Sequence, residues 1–207
     1  GRDHVPHTQH TRGLETTILT ASGAEVFGVG HNALGAWLWL AEHGDLGSLV
    51  TARTFRQEIG TDILPIELVS IDGRVHGRMR QTPLHLSEAL EEVARLAGAL
   101  GLDQGDILAE PKPRPADTGA AHLMVRVRDA VAVDKARPDA DELLAVLAKT
   151  TSEGCYVNAL DCDAPETAYA RFFNPTVGLW EDAATDTAAG PLAAYLAATG
   201  NLKGNEL

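Results

Sequence analysis

The sequence has little that would support a disulfide-stabilised, zinc-binding or membrane-spanning protein. Its 207 residues include only two cysteines, Cys155 and Cys162, which are too few for a disulfide framework and form no Cys-x-x-Cys zinc pair. A reducing compartment fits this content best. No apolar run reaches the ~18 residues that a membrane-spanning helix needs, and the first residues lack the apolar stretch of a signal peptide. The sequence therefore predicts a cytoplasmic protein.

Positive charge is also scarce. The chain has 17 lysines and arginines against 29 aspartates and glutamates, and its formal net charge is −12. The basic residues are scattered singly, whereas binding to nucleic acid or to an anionic membrane needs a basic face that displaces counterions. We therefore expect neither as a partner. Because the negative field would repel an anionic substrate at long range, any anion site must be locally positive.

Three histidines near the start, His4, His7 and His10, are spaced by three residues. Histidine is a common metal ligand, but Pro6 and Gly13 argue against a helix that would align the three rings. We interpret the segment as solvated and predict no metal site.

Hydrophobic patterning predicts an α/β chain in two similar halves. The elements expected in the first half are strands at 14–20 and 25–29, a helix at 31–43, a hairpin of strands 64–71 and 75–81 around Asp72-Gly73, and a helix at 87–100 capped by Ser87. Those of the second half are strands 122–127, 154–160 and 167–173 and helices 139–149 and 187–198. Prolines in 103–119 indicate a linker, so we divide the chain into 1–105 and 106–207.

The two halves contain a similar segment. Residues 31–46 align with residues 187–202 at an offset of 156 positions, and both segments end in Gly-x-Leu. Each helix is nearly uncharged, which predicts burial on all sides. An ancient duplication would explain this repeat. It would also place the N-termini of the two repeated helices at the interface between the halves. Such N-termini bind carboxylates through unpaired N–H groups and partial positive charge.

Three segments resemble motifs of the PhzF-like phenazine-biosynthesis family. Residues 171–196 (RFFNPTVGLWEDAATDTAAGPLAAYL) are similar to its pattern R-x-F-x-P followed by E-D-P-A-T-G-S-A, residues 30–35 (GHNALG) to its G-H-P-T-x-G, and residues 117–128 to its second half. The resemblance runs from about 25 to 203. It implies a diaminopimelate-epimerase-like fold, an α/β (α+β) architecture of two pseudo-symmetric halves, each with a sheet wrapped around a central buried helix.

The resemblance implies an isomerase of secondary metabolism that moves a proton on a small carboxylic acid in the interdomain cleft. The enzyme would need neither a metal nor an organic cofactor and would form a homodimer. Carried over by motif, His31 and Asp182 line the active site, Gly30 supplies a backbone contact and Thr187 replaces the family's serine. Glu15, in the only Glu-Thr segment ahead of the Gly-His motif, would be the carboxyl group that transfers the proton.

Several residues depart from the family pattern. Leu14 replaces a serine, and Asn32 and Ala183 replace prolines. Asp186 replaces a glycine beside the helix N-terminus, where its carboxylate would cap the helix and also compete with an anionic substrate. We also expect the family's opening strand and closing segment to be missing from these 207 residues.

Other functions fit parts of the sequence. The same fold could serve a non-catalytic protein that binds small molecules. Residues 28–33 (GVGHNA) match the dinucleotide fingerprint G-x-G-x-x-A, but residues 48–56 lack the acid that should end a second parallel strand. Two-thiol racemase chemistry needs a cysteine at each helix start, where His31 and Thr187 stand instead.

Overall fold

The structure is a computed structural model and describes residues 30–59, 62–161, 167–183 and 185–202. The helices are α1 (Gly30–Glu42), α2 (Val93–Ala99), α3 (Ala130–Lys135), α4 (Ala140–Leu147) and α5 (Asp186–Ala198). The strands are β1 (Arg53–Ile59), β2 (Asp62–Ile71), β3 (Arg74–Met79), β4 (His85–Leu86), β5 (Arg114–Asp117), β6 (Ala121–Arg126), β7 (Gly154–Leu160), β8 (Ala168–Asn174) and β9 (Leu179–Asp182). The predicted strands at 14–20 and 25–29 lie outside the described residues.

The first sheet is antiparallel, with the order β1-β2-β3. The predicted hairpin is confirmed: Asp72 and Gly73 both have positive φ, 50° and 77°, as the tight turn of a two-residue hairpin requires. Helix α1 packs its apolar face on this sheet, and the contact is close at Gly77. A Cβ atom there would lie 2.5 Å from Leu34 Cδ1, so only glycine leaves room for the helix.

The second sheet has the order β4-β5-β6-β7-β8-β9 and is antiparallel except for the parallel pair β6–β7. Helices α3 and α4 make the crossover between these two parallel strands. Leu123 and Val125 pack with α2, α3 and α4 on one face, while Met124 packs with α5 on the other. Strand β6 is therefore buried on both faces, which explains why its six residues are all buried.

Helices α1 and α5 match at the predicted offset. Their bounds, 30–42 and 186–198, differ by 156 positions, and each helix ends before a glycine with positive φ, Gly44 at 80° and Gly200 at 72°. The hydrogen bonds that close the two ends also correspond. The Asp45 N–H donates to the Leu40 carbonyl, and the Asn201 N–H donates to the Leu196 carbonyl. Both ends have the six-to-one bond of a Schellman motif.

The two helices differ in burial. Helix α5 buries one face, which holds its five buried residues: Ala188, Pro191, Leu192, Tyr195 and Leu196. In α1 the one buried residue is Gly30, and Trp39 is 56% exposed. The prediction of burial on all sides is therefore wrong for α1, and in α5 it holds for one face only, because Ala189, Ala197 and Ala198 are exposed. Within the described chain, the three-stranded sheet covers only one face of α1.

The segment around the prolines differs most from expectation. Helix α2 begins at Val93 rather than at 87, because the Ser87 and Leu90 N–H groups donate to the carbonyls of Pro115 and Pro113. Strand β5 lies inside the predicted linker, since proline loses its N–H but keeps a carbonyl that can pair. The first sheet ends with β3 and the second begins with β4. The division of the chain at 105/106 stays a prediction.

The remaining predicted elements correspond to α4, β6, β7 and β8 within one or two residues at each end. Sequence patterning missed β1, β4, β9 and α3. Over the ranges that the structure describes, no helix is long and apolar enough to cross a membrane.

The unequal burial of α1 and α5 can be tested with two leucines that correspond at the offset of 156. Leu196 is fully buried, whereas Leu40 lies half-buried on α1. We expect Leu196→Ala to lower the free energy of unfolding by about 2–5 kcal/mol and Leu40→Ala by about 1 kcal/mol or less. Urea denaturation of both variants measures the difference. Equal losses would show that the two helices are buried alike.

Candidate active site

The N-termini of α1 and α5 meet through one side-chain pair. His31 Nδ1 lies 2.5 Å from Asp186 Oδ1, and the two side chains are 54% and 39% exposed. His31 is the second residue of α1 and Asp186 the first of α5. Gly30 lies directly beside them, and a Cβ atom there would be 3.0 Å from both Asp186 Oδ2 and Met79 Cε. The close approach of the two helix starts therefore favours glycine at position 30.

Asp186 places a protein carboxylate at the start of a helix, where the partial positive charge of the N-terminus favours it. Because a carboxylate only accepts hydrogen bonds, His31 donates its Nδ1–H and keeps Nε2 available. The exposure of both groups limits how much this pair stabilises the fold. Its main consequence is therefore local, since it fixes the orientation of the imidazole ring.

Asp182 is held close to the start of α5 by a neighbour. The Thr185 hydroxyl donates to Asp182 Oδ2 over 2.6 Å. Thr185 is the N-cap residue of α5, yet its side chain makes no capping hydrogen bond to the helix. The hydroxyl thus positions the Asp182 carboxylate at the end of β9 instead of closing the helix.

Thr187 contacts a histidine to which the family resemblance assigns no role. Its Oγ1 lies 3.1 Å from His122 Nε2, and His122 is only 2% exposed. The edge of the Phe172 ring packs against the imidazole, with ring centroids 4.8 Å apart. Burial lowers the pKa of His122 to about 4, although the negative charge of Asp117 acts in the opposite direction. His122 is therefore neutral near pH 7.

Four of the predicted site residues thus gather around the start of α5. Gly30 and His31 contact Asp186, Asp182 bonds to Thr185, and Thr187 bonds to His122. Glu15, the fifth, lies outside the described residues, as do His4, His7, His10 and Cys162.

Cys155 lies on the opposite face of the second sheet from His122. It packs on the face of the second sheet that α2, α3 and α4 cover, and burial raises the pKa of its thiol. Strand β1, the next strand after α1, runs antiparallel to β2, which does not fit a dinucleotide-binding unit. In the described ranges, no group of three His, Cys, Asp or Glu side chains is arranged to hold a metal ion.

A cavity of about 420 Å³ lies beyond the opposite, C-terminal end of α5. None of the predicted site residues lines it. Its lining residues are Glu110, Pro111, Lys112, Arg114, Thr199 and Asn201.

Comparison with known proteins shows the family. A family model described as phenazine biosynthesis-like protein matches residues 7–207. The chain belongs to this family. A trans-2,3-dihydro-3-hydroxyanthranilate isomerase of Pseudomonas aeruginosa is 29% identical over 179 residues, which cover 81% of this chain and 54% of the relative. The chain spans about half to two thirds of the length of the curated relatives that it matches.

Solved structures show the same fold. A structure described as a predicted epimerase from Pseudomonas aeruginosa superposes with a TM-score of 0.72 at 28% identity, covering 90% of this chain and 62% of the other. A hydroxyproline epimerase from Agrobacterium vitis gives a TM-score of 0.62 at 13% identity, covering 92% and 56%. This second likeness concerns the fold alone. The diaminopimelate-epimerase-like fold class is thereby confirmed.

The protonation of His122 predicts a pH dependence of stability. Its pKa is about 4 in the folded state against 6.5 for the unperturbed group, so the unfolded chain binds the extra proton between these values. The free energy of unfolding should therefore rise between pH 4 and 6.5, and His122 should account for about 3 kcal/mol of this rise. In His122→Gln this part of the rise should be absent. The measurement is the unfolding free energy of both proteins from pH 4 to 8, and parallel curves would contradict the assignment.

Proposed function

We propose that this protein is an isomerase that moves a proton on a small carboxylic acid by general acid/base catalysis, without a cofactor. The observation that carries the proposal is the His31–Asp186 contact, because it joins the starts of α1 and α5. Asp182 and Thr187 flank the same helix start. A family relative that bears the name of an isomerase supports the same reading.

The helix starts solve the problem that the net charge of −12 poses for an anionic substrate. The first N–H groups of each helix have no partner within the helix and carry partial positive charge. A substrate carboxylate can bind there, and the Thr187 hydroxyl adds a side-chain donor. Binding at such a site does not depend on a basic surface.

The reaction needs one group that takes a proton from carbon and returns it to another carbon of the same molecule. As the C–H bond breaks, its electron pair forms a new double bond to the adjacent carbon. The π electrons of the existing double bond move to its far carbon, and that carbon takes the proton. The substrate is neither oxidised nor reduced. Glu15 is our proposed shuttle, and such a group works best with a pKa near the working pH. His31 and Asp182 orient the substrate.

The substrate class follows from the named relative, which isomerises an amino-substituted cyclic carboxylic acid. We propose acids of this type as the first substrates to test. The homodimer, the cytoplasmic location and a role in secondary metabolism stay predictions of the family resemblance. The alternative is a non-catalytic binding protein, which would bind such acids without exchanging their protons.

The shuttle role predicts the behaviour of Glu15→Gln. This variant keeps the shape of the side chain but cannot accept the proton, so turnover should fall by ~10²–10⁴-fold with binding largely intact. The measurement is deuterium incorporation from deuterium oxide into trans-2,3-dihydro-3-hydroxyanthranilate and related acids. Glu25→Gln, to which no role is assigned, is the matched control.

Two outcomes would contradict the proposal in different ways. Exchange at the wild-type rate in Glu15→Gln would remove Glu15 from the mechanism. Saturable binding by the wild type without any exchange would favour the binding-protein alternative.

The position of Asp186 predicts that removing its charge increases the affinity for a carboxylate ligand. Its carboxylate occupies the start of α5, so Asp186→Asn should tighten carboxylate binding by roughly tenfold or more, because two like charges would otherwise lie close together. The amide can still accept the hydrogen bond from His31 Nδ1. Calorimetric titration with 3-hydroxyanthranilate measures the change, and the neutral 3-hydroxyanthranilamide serves as control. An unchanged or weaker affinity for the acid would show that Asp186 does not compete with it.

A further inference from the structure

We propose that His122 is a positioning residue that donates its Nε2–H to Thr187 Oγ1 and thereby directs the Thr187 hydroxyl proton toward the substrate carboxylate. This inference rests on the proposed function, since it assigns the role of a group behind the same site. His122 itself has no access to the substrate, because it is almost fully buried in β6 behind the start of α5.

The surrounding strands set the orientation of the imidazole ring. His122 pairs with Gly154 on β7. Gly154 has no side chain, and a Cβ atom there would clash with the ring of Phe172. The Phe172 ring therefore occupies the space over Gly154 and presents itself at about a right angle to the His122 ring, at an interplanar angle of 74°. This packing leaves Nε2 directed at Thr187 Oγ1.

The protonation state limits His122 to a single N–H group. Burial lowers its pKa to about 4, so the ring is neutral at the pH at which the enzyme would work. Asp117 acts in the opposite direction on this pKa but does not keep the ring charged. Nε2 contacts Thr187, whereas Nδ1 is buried and has no hydrogen-bond partner in the described chain.

The two tautomers have different consequences. If Nδ1 carried the proton, its N–H would be buried without an acceptor, and the Thr187 hydroxyl would donate its hydrogen bond to Nε2. If Nε2 carries it, only a lone pair is left unpaired, and the Thr187 hydroxyl keeps its proton for another acceptor. Thr187 is half-buried and follows Asp186 at the open start of α5. A substrate carboxylate bound there accepts both the O–H and the helix N–H groups.

The experiment uses the 207-residue chain and 3-hydroxyanthranilate as the probe. First, ¹⁵N NMR of the imidazole identifies the tautomer without ligand, and we expect Nε2–H. Second, calorimetry compares the wild type with His122→Phe, His122→Gln, Thr187→Val and the double variant His122→Phe/Thr187→Val. Phenylalanine keeps the ring packing and loses the donor, whereas glutamine places an N–H near the position of Nε2.

We expect His122→Phe to weaken probe binding roughly tenfold, a change equivalent to the loss of one directed hydrogen bond, and His122→Gln to restore most of it. Because His122 would act only through Thr187, the double variant should bind as weakly as Thr187→Val alone and no weaker. A merely structural histidine would lower stability in both His122 variants without this coupling or this rescue.

Three results would overturn the inference: an Nδ1–H tautomer, wild-type affinity in His122→Phe, or effects that multiply in the double variant. Absence of any carboxylate binding by the wild type would overturn it together with the substrate class. Intact binding and coupling without deuterium exchange would overturn only the isomerase proposal. The failures of the two ideas are thus distinguishable.

Discussion

Two helix starts that face each other carry partial charges of the same sign, and the candidate site depends on negative charge placed between them. Here Asp186 supplies that charge from α5 and holds His31 of α1 at the same time. One carboxylate therefore joins the two helices that the sequence repeats at an offset of 156. Because the Asp186 carboxylate already neutralises part of the positive charge at the two helix starts, an anionic ligand is attracted to the site less strongly.

Behind this contact, the second sheet gives the site its rigid support. Strand β6 is buried on both faces and brings His122 to Thr187, while β9 ends at Asp182 close to the same helix start. The polar groups at the start of α5 are thus arranged in two layers. Asp186 and Asp182 are accessible in part, and His122 lies wholly behind them.

Local signals in the sequence predicted the elements that depend on local physics. The Asp72-Gly73 turn, the stops of both repeated helices at Gly44 and Gly200, and the apolar strands β6 and β7 all have short-range patterns. The prediction that α2 begins at 87 was wrong, because the N–H groups of Ser87 and Leu90 donate to the carbonyls of Pro115 and Pro113. No local pattern in the sequence reveals these distant partners.

The candidate site was predicted as a set of residues but not as a set of contacts. Gly30, His31, Asp182 and Thr187 followed from motif resemblance, whereas the His31–Asp186 contact joins residues 155 positions apart and depends on how the halves pack. His122 was missed because a single histidine in an apolar strand has the same pattern as an ordinary core position. Its alternation with Met124, on the face that packs with α5, is the one sequence feature that could have indicated it.

The prolines near the start of β5 limit the ladder that can form beside it. Pro115 lies in β5 and Pro113 just before it, so both turn the same way, toward the β4 side, where their carbonyls accept from Ser87 and Leu90. Neither can offer an N–H to a neighbour on that side. The regular ladder with β4 is therefore confined to the pairs His85–Asp117 and Leu86–Ala116. The described sheet thus ends in a strand of two residues, which offers a strand from another molecule little length to pair with.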